Sequence, residues 1–268
     1  MSNSRLAARL LPLFCLFLQA PLRAESGAVG FNWWLKDGAA VVSSPLRWDG
    51  ADFGKAGLVA AGAGLSFFWL DDRMADYAAE TRHHALSELA EKAGFLGDGL
   101  FVAGAFGAAY GYGALSGRSG VKEAALVGLE SWAISGLIVG AAKISVRRYR
   151  PGTVSGERRA SGRHFFSTDS LSFPSGHSAA AFSSARVAAW YFRESPAAPY
   201  VCYGLAGLVA WSRVNDSEHW SSDVFIGSVT GYFVADKVIK LNEGRRGAGT
   251  VLLPFYGAGP GVTALYRF

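Results

Sequence analysis

The chain predicts an all-α fold, a six-helix bundle followed by a short C-terminal β-like tail. Three observations carry this. Half of the 268 residues are hydrophobic and only 18% are charged, against roughly 25% charged in an ordinary soluble protein. Six apolar stretches of helical length follow one another with little strand patterning. Glycine (34 residues) and alanine are abundant, which suits close approach of helices. Mean hydropathy is +0.19, above that of a typical soluble enzyme and low for a chain made wholly of membrane spans. The bundle is therefore expected to be membrane-embedded or membrane-adjacent.

Residues 1–24 read as a secretory signal. Arg5 and Arg9 precede an apolar run from Leu10 to Leu18, and Gln19, Ala20 and a small-residue region lead to Ala24. Cleavage is expected after Ala24 rather than Ala20, because Pro21 would follow the latter. Cys15 follows Phe14, not a small residue, which argues against a lipoprotein site. With the leader removed, Cys202 is the one thiol left, so no intrachain disulfide is expected. Two cysteines also make no structural zinc site. No repeat or long Pro/Ser linker divides the remainder. Residues 25–50 form a lead segment, 51–240 a helical domain and 241–268 a tail.

The six stretches run from Ala56 to Leu70, Gly94 to Ser116, Val121 to Val146, Pro174 to Phe192, Ala198 to Val214 and His219 to Ile239. Loops are expected from Asp71 to Lys92 and from Thr153 to Ser172. A bilayer span needs about 20 mostly apolar residues, yet the stretch before Asp71 has 15 and the one from Gly99 to Gly117 has 19, rich in Gly and Ala. Glu130, Arg186 and Asp236 fall inside the third, fourth and sixth stretches, and an ionisable group in a span is costly unless it faces the bundle interior. Three spans after an exported N-terminus would also put the basic loop after Lys143 in the cytosol. That obeys the positive-inside tendency but opposes an exported site. The sequence leaves integral, peripheral and soluble arrangements open. The tail from Thr250 to Phe268, with Pro254 and an alternating end of Val262, Ala264, Tyr266 and Phe268, reads as an edge hairpin. One or two strands cannot close a barrel.

The net charge of +5 has a local source: between Lys143 and Arg163 there are seven basic residues and one acid, Glu157. A solvated loop, anionic lipid or an anionic small substrate would each fit such a run. No zinc finger, basic zipper or aromatic RNA-binding signature is present, so nucleic acid is not an expected partner.

Three clusters lie at the ends of the last four helical stretches: Lys143, six residues, then Arg150 and Pro151; Pro174, Ser175, Gly176 and His177; and Ser212, Arg213, five residues, His219, three residues, Asp223. A phosphoryl group in transfer spreads charge over three equatorial oxygens, with nucleophile and leaving group in line. Its site needs fixed cations, amide donors, a nucleophile and an acid. Lys143, Arg150 and Arg213 offer the cations, Ser175 a hydroxyl, and Gly176 close backbone approach. Pro174 to His177 opens a helix with Pro in the first turn, a favourable place for an anion. His219 and Asp223, four apart, share a helix face, so the carboxylate can accept from one imidazole nitrogen and leave the other nucleophilic. His177 remains for acid–base work toward the leaving oxygen and then the water.

Each cluster alone is ordinary: a helix start, a structural His/Asp pair, a solvated basic run. Together they resemble the type 2 phosphatidic acid phosphatase / vanadium haloperoxidase superfamily, with its signature K-x6-R-P, P-S-G-H and S-R-x5-H-x3-D. All eleven specified positions are present in order, and each has a chance of about one in twenty at average usage. The resemblance implies a helical bundle of that type. It implies the same site roles: His219 attacks, Asp223 orients, His177 moves the proton, and Lys143, Arg150, Ser175, Gly176 and Arg213 hold phosphate. No metal or other cofactor is implied.

The expected function is therefore a metal-independent phosphatase in the bacterial cell envelope, acting on a lipid phosphate or diphosphate through phosphohistidine. One alternative is a vanadate-dependent haloperoxidase, with vanadate as its cofactor, although family members of that kind are longer. Others are a broad-specificity periplasmic acid phosphatase and a non-catalytic envelope scaffold. Outside the clusters, Arg147 and Arg148 read as solvated or headgroup contacts, and His83, His84 and His164 as surface residues. Trp211 and Trp220 read chiefly as core. Glu130 is either a buried partner of a site cation or a polar face residue.

Overall fold

A computed structural model describes residues 31–151, 153, 170–247, 250–256 and 260–266. The expected signal at 1–24, most of the loop from Thr153 to Ser172, and His164 lie outside the described residues. Among the described residues there are nine α-helices. They are α1 (Phe31–Val42), α2 (Gly50–Leu65), α3 (Asp71–Thr81), α4 (His84–Phe95), α5 (Gly99–Leu115), α6 (Ser119–Val146), α7 (Gly176–Tyr191), α8 (Ala198–Asn215) and α9 (Ser221–Gly247). A 3-10 turn, Ser44–Arg47, follows α1, and a π turn, Ser66–Leu70, joins α2 to α3. Two antiparallel strands close the order, β1 (Thr250–Tyr256) and β2 (Pro260–Tyr266), with Leu252 opposite Ala264.

The six apolar stretches are helical, in α2, α5, α6, α7, α8 and α9, and three shorter helices accompany them. The expected loop from Asp71 to Lys92 is instead α3 and most of α4. Both are too polar for an apolar scan to find (DDRMADYAAET and HALSELAEKAGF), yet Ala, Glu, Leu and Lys are good helix formers. The stretch expected from Gly94 to Ser116 is broken at Leu96–Asp98, where the Asp98 carboxylate accepts from the Leu100 and Phe101 amides at 2.9 and 3.0 Å. That N-cap satisfies two donors at the start of α5, and α4 and α5 meet there at 49°.

The core lies between α1, α6, α7 and α9, where Val127, Ile134, Val187, Trp190, Val234, Val238 and Ile239 are buried together. A second cluster joins α7 to α8 through Ala181, Ala185, Ala206 and Val209. Glycine lets α9 ride against α7: a Cβ at Gly227 would overlap the Ser175 carbonyl, and one at Gly231 the Ala179 carbonyl. This close approach brings the start of α9 to the start of α7.

Among the described residues, two helical segments are long and apolar enough to cross a membrane: residues 50–81, running from α2 through the π turn into α3, and α6. A third counts if the bent pair α4–α5 is one span. The first is hardly buried and shows Phe53, Leu58, Leu65, Phe68 and Trp69 on its surface.

The lead segment is anchored by charge. Arg245 of α9 grips both oxygens of the buried Asp37 of α1, at 2.6 and 2.7 Å. Asn242 donates to the fully buried Glu130 at 3.3 Å. Glu130 lies thirteen residues before Lys143 on α6, roughly 20 Å along the helix. It therefore belongs to this anchor and not to the cations at the other end.

Candidate active site

All eight sequence-selected residues lie at one end of the bundle. Lys143 is in the last turn of α6, and its ammonium donates to the Leu171 carbonyl. Its Cε passes 4.0 Å from where a Cβ on Gly176 would stand, an ordinary contact distance, which places the lysine beside the start of α7. Ser175 is the N-cap of α7; its Oγ accepts from the Ser178 amide at 3.3 Å and hydroxyl at 3.0 Å. Pro174 thus precedes the cap rather than sitting in the first turn, a shift of the helix start from the expected position. Ser175 is fully buried, with its backbone N–H donating to the Asp223 carbonyl at 3.0 Å.

Arg213, in the last turn of α8, donates from Nε to Ser212 Oγ at 3.1 Å and from Nη2 to Asp216 at 3.0 Å. It is lodged against α4, where a Cβ on Gly94 would collide with its guanidinium. Arg150 pairs with Glu218, the residue before His219. His177, in the first turn of α7, is covered by the α4–α5 break: a Cβ at Gly97 would stand 2.9 Å from the His177 carbonyl. A cleft of about 420 Å³ opens here, lined by Glu91, Phe95, Asp98, His177, Arg213 and Glu218 among others. Of the eight selected residues, His177 and Arg213 reach its wall. Burial, followed by the charges of Arg213 and His219, pushes His177 down to about 4.

His219 is nearly buried, and Nδ1 stands 2.6 Å from the Ser172 carbonyl. A carbonyl only accepts, so Nδ1 carries the proton and Nε2 the lone pair. Burial lowers the His219 pKa and the Lys143 and Arg150 charges add to it, against the raising effect of Asp223. The ring is therefore neutral at pH 7. Asp223 Oδ2 lies 3.9 Å from Nδ1, too far for a hydrogen bond. This corrects the expected direct His219–Asp223 bond, since a backbone carbonyl that no sequence pattern marks has taken that place. Asp223 acts one step back. Its Oδ2 accepts from the Ser172 hydroxyl and from the Trp220 amide, the latter at 3.0 Å. Burial would raise its pKa, but the Arg148 guanidinium and the Ser172 hydroxyl bring it below the usual carboxylate value.

Arg148 is where sequence reasoning missed most. Expected among solvent or headgroups, it is 4% exposed. Its Nη1 donates to Asp223 Oδ1 at 2.6 Å and to Ser222 Oγ at 2.7 Å, and its Nη2 to Asp71 Oδ2 at 2.6 Å. The guanidinium lies 5.0 Å from the Phe67 ring and 5.1 Å from that of Trp220. The reason is local: α6 ends at Arg147 in the left-handed region (φ 51°), which turns the next side chain inward. Asp71, also missed, is fully buried. Its place directly after the apolar run from Ala56 to Leu70 marks it in sequence only as the charge that ends that run.

Among the other residues weighed, Trp220 is core, its indole N–H donating to the Tyr149 carbonyl at 2.8 Å, and Trp211 is half-buried. His83 and His84 are exposed. Among the described residues, no group of three His, Cys, Asp or Glu side chains is placed to hold a metal ion.

Residues 124–245 match the model of the PAP2 superfamily. Two crystal structures share the fold. One is that of Aquifex aeolicus LpxE, at 21% identity and TM-score 0.51, covering 65% of this chain and 96% of that one. The other is the first transmembrane PAP2 type phosphatidylglycerolphosphate phosphatase from Bacillus subtilis, at 21% identity and TM-score 0.53, covering 80% and 94%. No curated protein matches the chain significantly.

Proposed function

We propose that this chain, which carries a PAP2 superfamily domain over residues 124–245, removes phosphate from a lipid phosphate or diphosphate by way of a phosphohistidine, without a metal. The observation that carries the reading is the neutral His219, its Nδ1–H spent on the Ser172 carbonyl at 2.6 Å, beside the charges of Lys143 and Arg150. Nε2 attacks phosphorus, and the P–O bond to the leaving group breaks in line. His177, protonated, gives its proton to the leaving oxygen and later takes one from the water that cleaves the P–N bond. Lys143, Arg150 and Arg213 hold the equatorial oxygens, and Ser175 and Gly176 present the start of α7 to them. The ligand-free pKa of His177, about 4, rises when a phosphate dianion offsets Arg213.

The apolar surface of residues 50–81 and α6 supports a membrane-associated enzyme of the cell envelope that meets its substrate at a lipid surface. The test is phosphate release from a lipid phosphate or p-nitrophenyl phosphate by the purified full chain in excess EDTA. Turnover should persist, micromolar vanadate should inhibit, and His219→Ala should lower kcat by roughly 10³-fold or more with helical content retained. Loss of turnover on chelation, or an unchanged His219→Ala rate, overturns the reading. Bromide oxidation with peroxide and vanadate, without phosphatase turnover, would favour a haloperoxidase.

A further inference from the structure

We propose that Asp71 and Arg148 are positioning residues for the nucleophile, linking the exposed apolar helix of residues 50–81 to the geometry of His219. The proposal rests on the reading of His219 as nucleophile, and neither residue touches the reacting atoms.

The connection is continuous. Asp71 follows the π turn, fully buried where the apolar run gives way to α3. Its Oδ1 accepts from the Ser221 hydroxyl at 2.7 Å and the Ser222 amide at 2.8 Å. Its Oδ2 accepts from the Ser222 hydroxyl at 2.7 Å and from Arg148 at 2.6 Å. An acid here satisfies free amides and meets the positive end of the α9 dipole. Arg148 then holds Asp223 Oδ1 at 2.6 Å. Asp223 accepts from the Ser172 hydroxyl, and the carbonyl of that same serine takes the Nδ1 proton of His219. Each amino group of Arg148 is thus directed to a carboxylate, and the Phe67 and Trp220 rings flank it. Two carboxylates and one guanidinium, all nearly dry, carry a heavy desolvation cost. Simple packing of α3 on α9 would need none of them. What the arrangement supplies is a fixed Asp223, and through Ser172 a fixed ring tautomer.

The experiment uses the full chain in detergent with p-nitrophenyl phosphate, comparing wild type, Asp71→Asn, Arg148→Met, the double variant and His219→Ala. The two single variants should lower kcat about 10- to 100-fold, as loss of a supporting partner does elsewhere. Inhibition by inorganic phosphate should hardly change, because Lys143, Arg150 and Arg213 are untouched. Inhibition by vanadate, whose pentacoordinate form mimics the state that His219 completes, should weaken with kcat. The acid limb of the kcat/KM–pH profile should move in opposite directions. Removing the Arg148 cation eases protonation of His219 and moves the limb to higher pH. Removing the Asp71 anion moves it to lower pH. The double variant leaves no unpaired buried charge of this pair, so it should fold if either single variant does not, and it should keep the kcat loss.

Wild-type kcat in the folded variants overturns the proposal. So does a loss that merely follows the folded fraction, with the acid limb unmoved. An active His219→Ala would overturn the proposed function itself. An inactive His219→Ala beside fully active Asp71 and Arg148 variants would overturn this inference alone.

Discussion

On the inner side of His219, the Asp71, Arg148 and Asp223 side chains are 0–5% exposed and joined by bonds of 2.6 Å. On the outer side, Arg150 and Glu218 keep 28% and 41% of their side chains in solvent, and Arg213 and Asp216 12% and 26%. Buried pairs are weakly screened and costly to break, whereas exposed pairs are worth little and exchange partners readily. The inner group fits a fixed ring. Under the proposed function the outer one fits a ligand: Glu218 and Asp216 occupy the arginines that a phosphate would claim, and would give them up on its binding. One site thus separates permanence from exchange.

The largest effect that would sharpen this contrast is at His177, the outer-side histidine. His177→Ala should lower kcat/KM on a lipid phosphate, which covers the steps through leaving-group departure and excludes the hydrolysis common to all substrates, roughly 10²- to 10⁴-fold. The loss on p-nitrophenyl phosphate should be much smaller, because that leaving group departs without a proton. Equal losses on both would deny it the acid role.

An intermediate effect concerns stability. His177 titrates at about 4 when folded and near 6.5 in the unfolded chain. Between those values the unfolded state binds more protons, so stability rises with pH and is lost as pH falls from 6.5 toward 4. His219, also lowered, acts in the same direction. Thermal midpoints measured from pH 7 to pH 4 should fall, and His177→Gln should flatten that slope. A slope unchanged by the substitution would place the effect elsewhere.

The smallest effect is at the rim. Glu218→Gln should tighten inhibition by inorganic phosphate a few-fold at low salt, and less at high salt, because a screened competitor has been removed. Weaker phosphate inhibition would mean that Glu218 supports the cradle instead of vacating it.

The contrast also explains what the sequence reveals. Apolar runs such as Val121 to Val146 announce their helices because burial or lipid contact demands them. The proposed cradle is equally legible in Lys143, Arg150, Ser175, Gly176, His177, Arg213, His219 and Asp223, since phosphate chemistry would need those side chains at helix ends. The inner support was hidden. Arg148 reads as one more basic loop residue until the left-handed turn at Arg147 directs it inward. Asp71 reads as the charge that ends an apolar run. The carbonyl of Ser172 belongs to every amino acid, so no pattern could have marked it as the partner of His219.

The π turn at Ser66–Leu70 sets the angular phase of everything after it. Deleting one codon in the regular α2 turns ahead of it, at Ala60 for example, where no widened turn absorbs the change, would leave length, hydropathy and reading frame almost intact while rotating the downstream helix by about 100° relative to the apolar face. Asp71 would then swing from Arg148 toward the exposed apolar face. A lesion invisible to any inspection of composition would reach the His219 imidazole from a single residue of unremarkable hydrophobic chain.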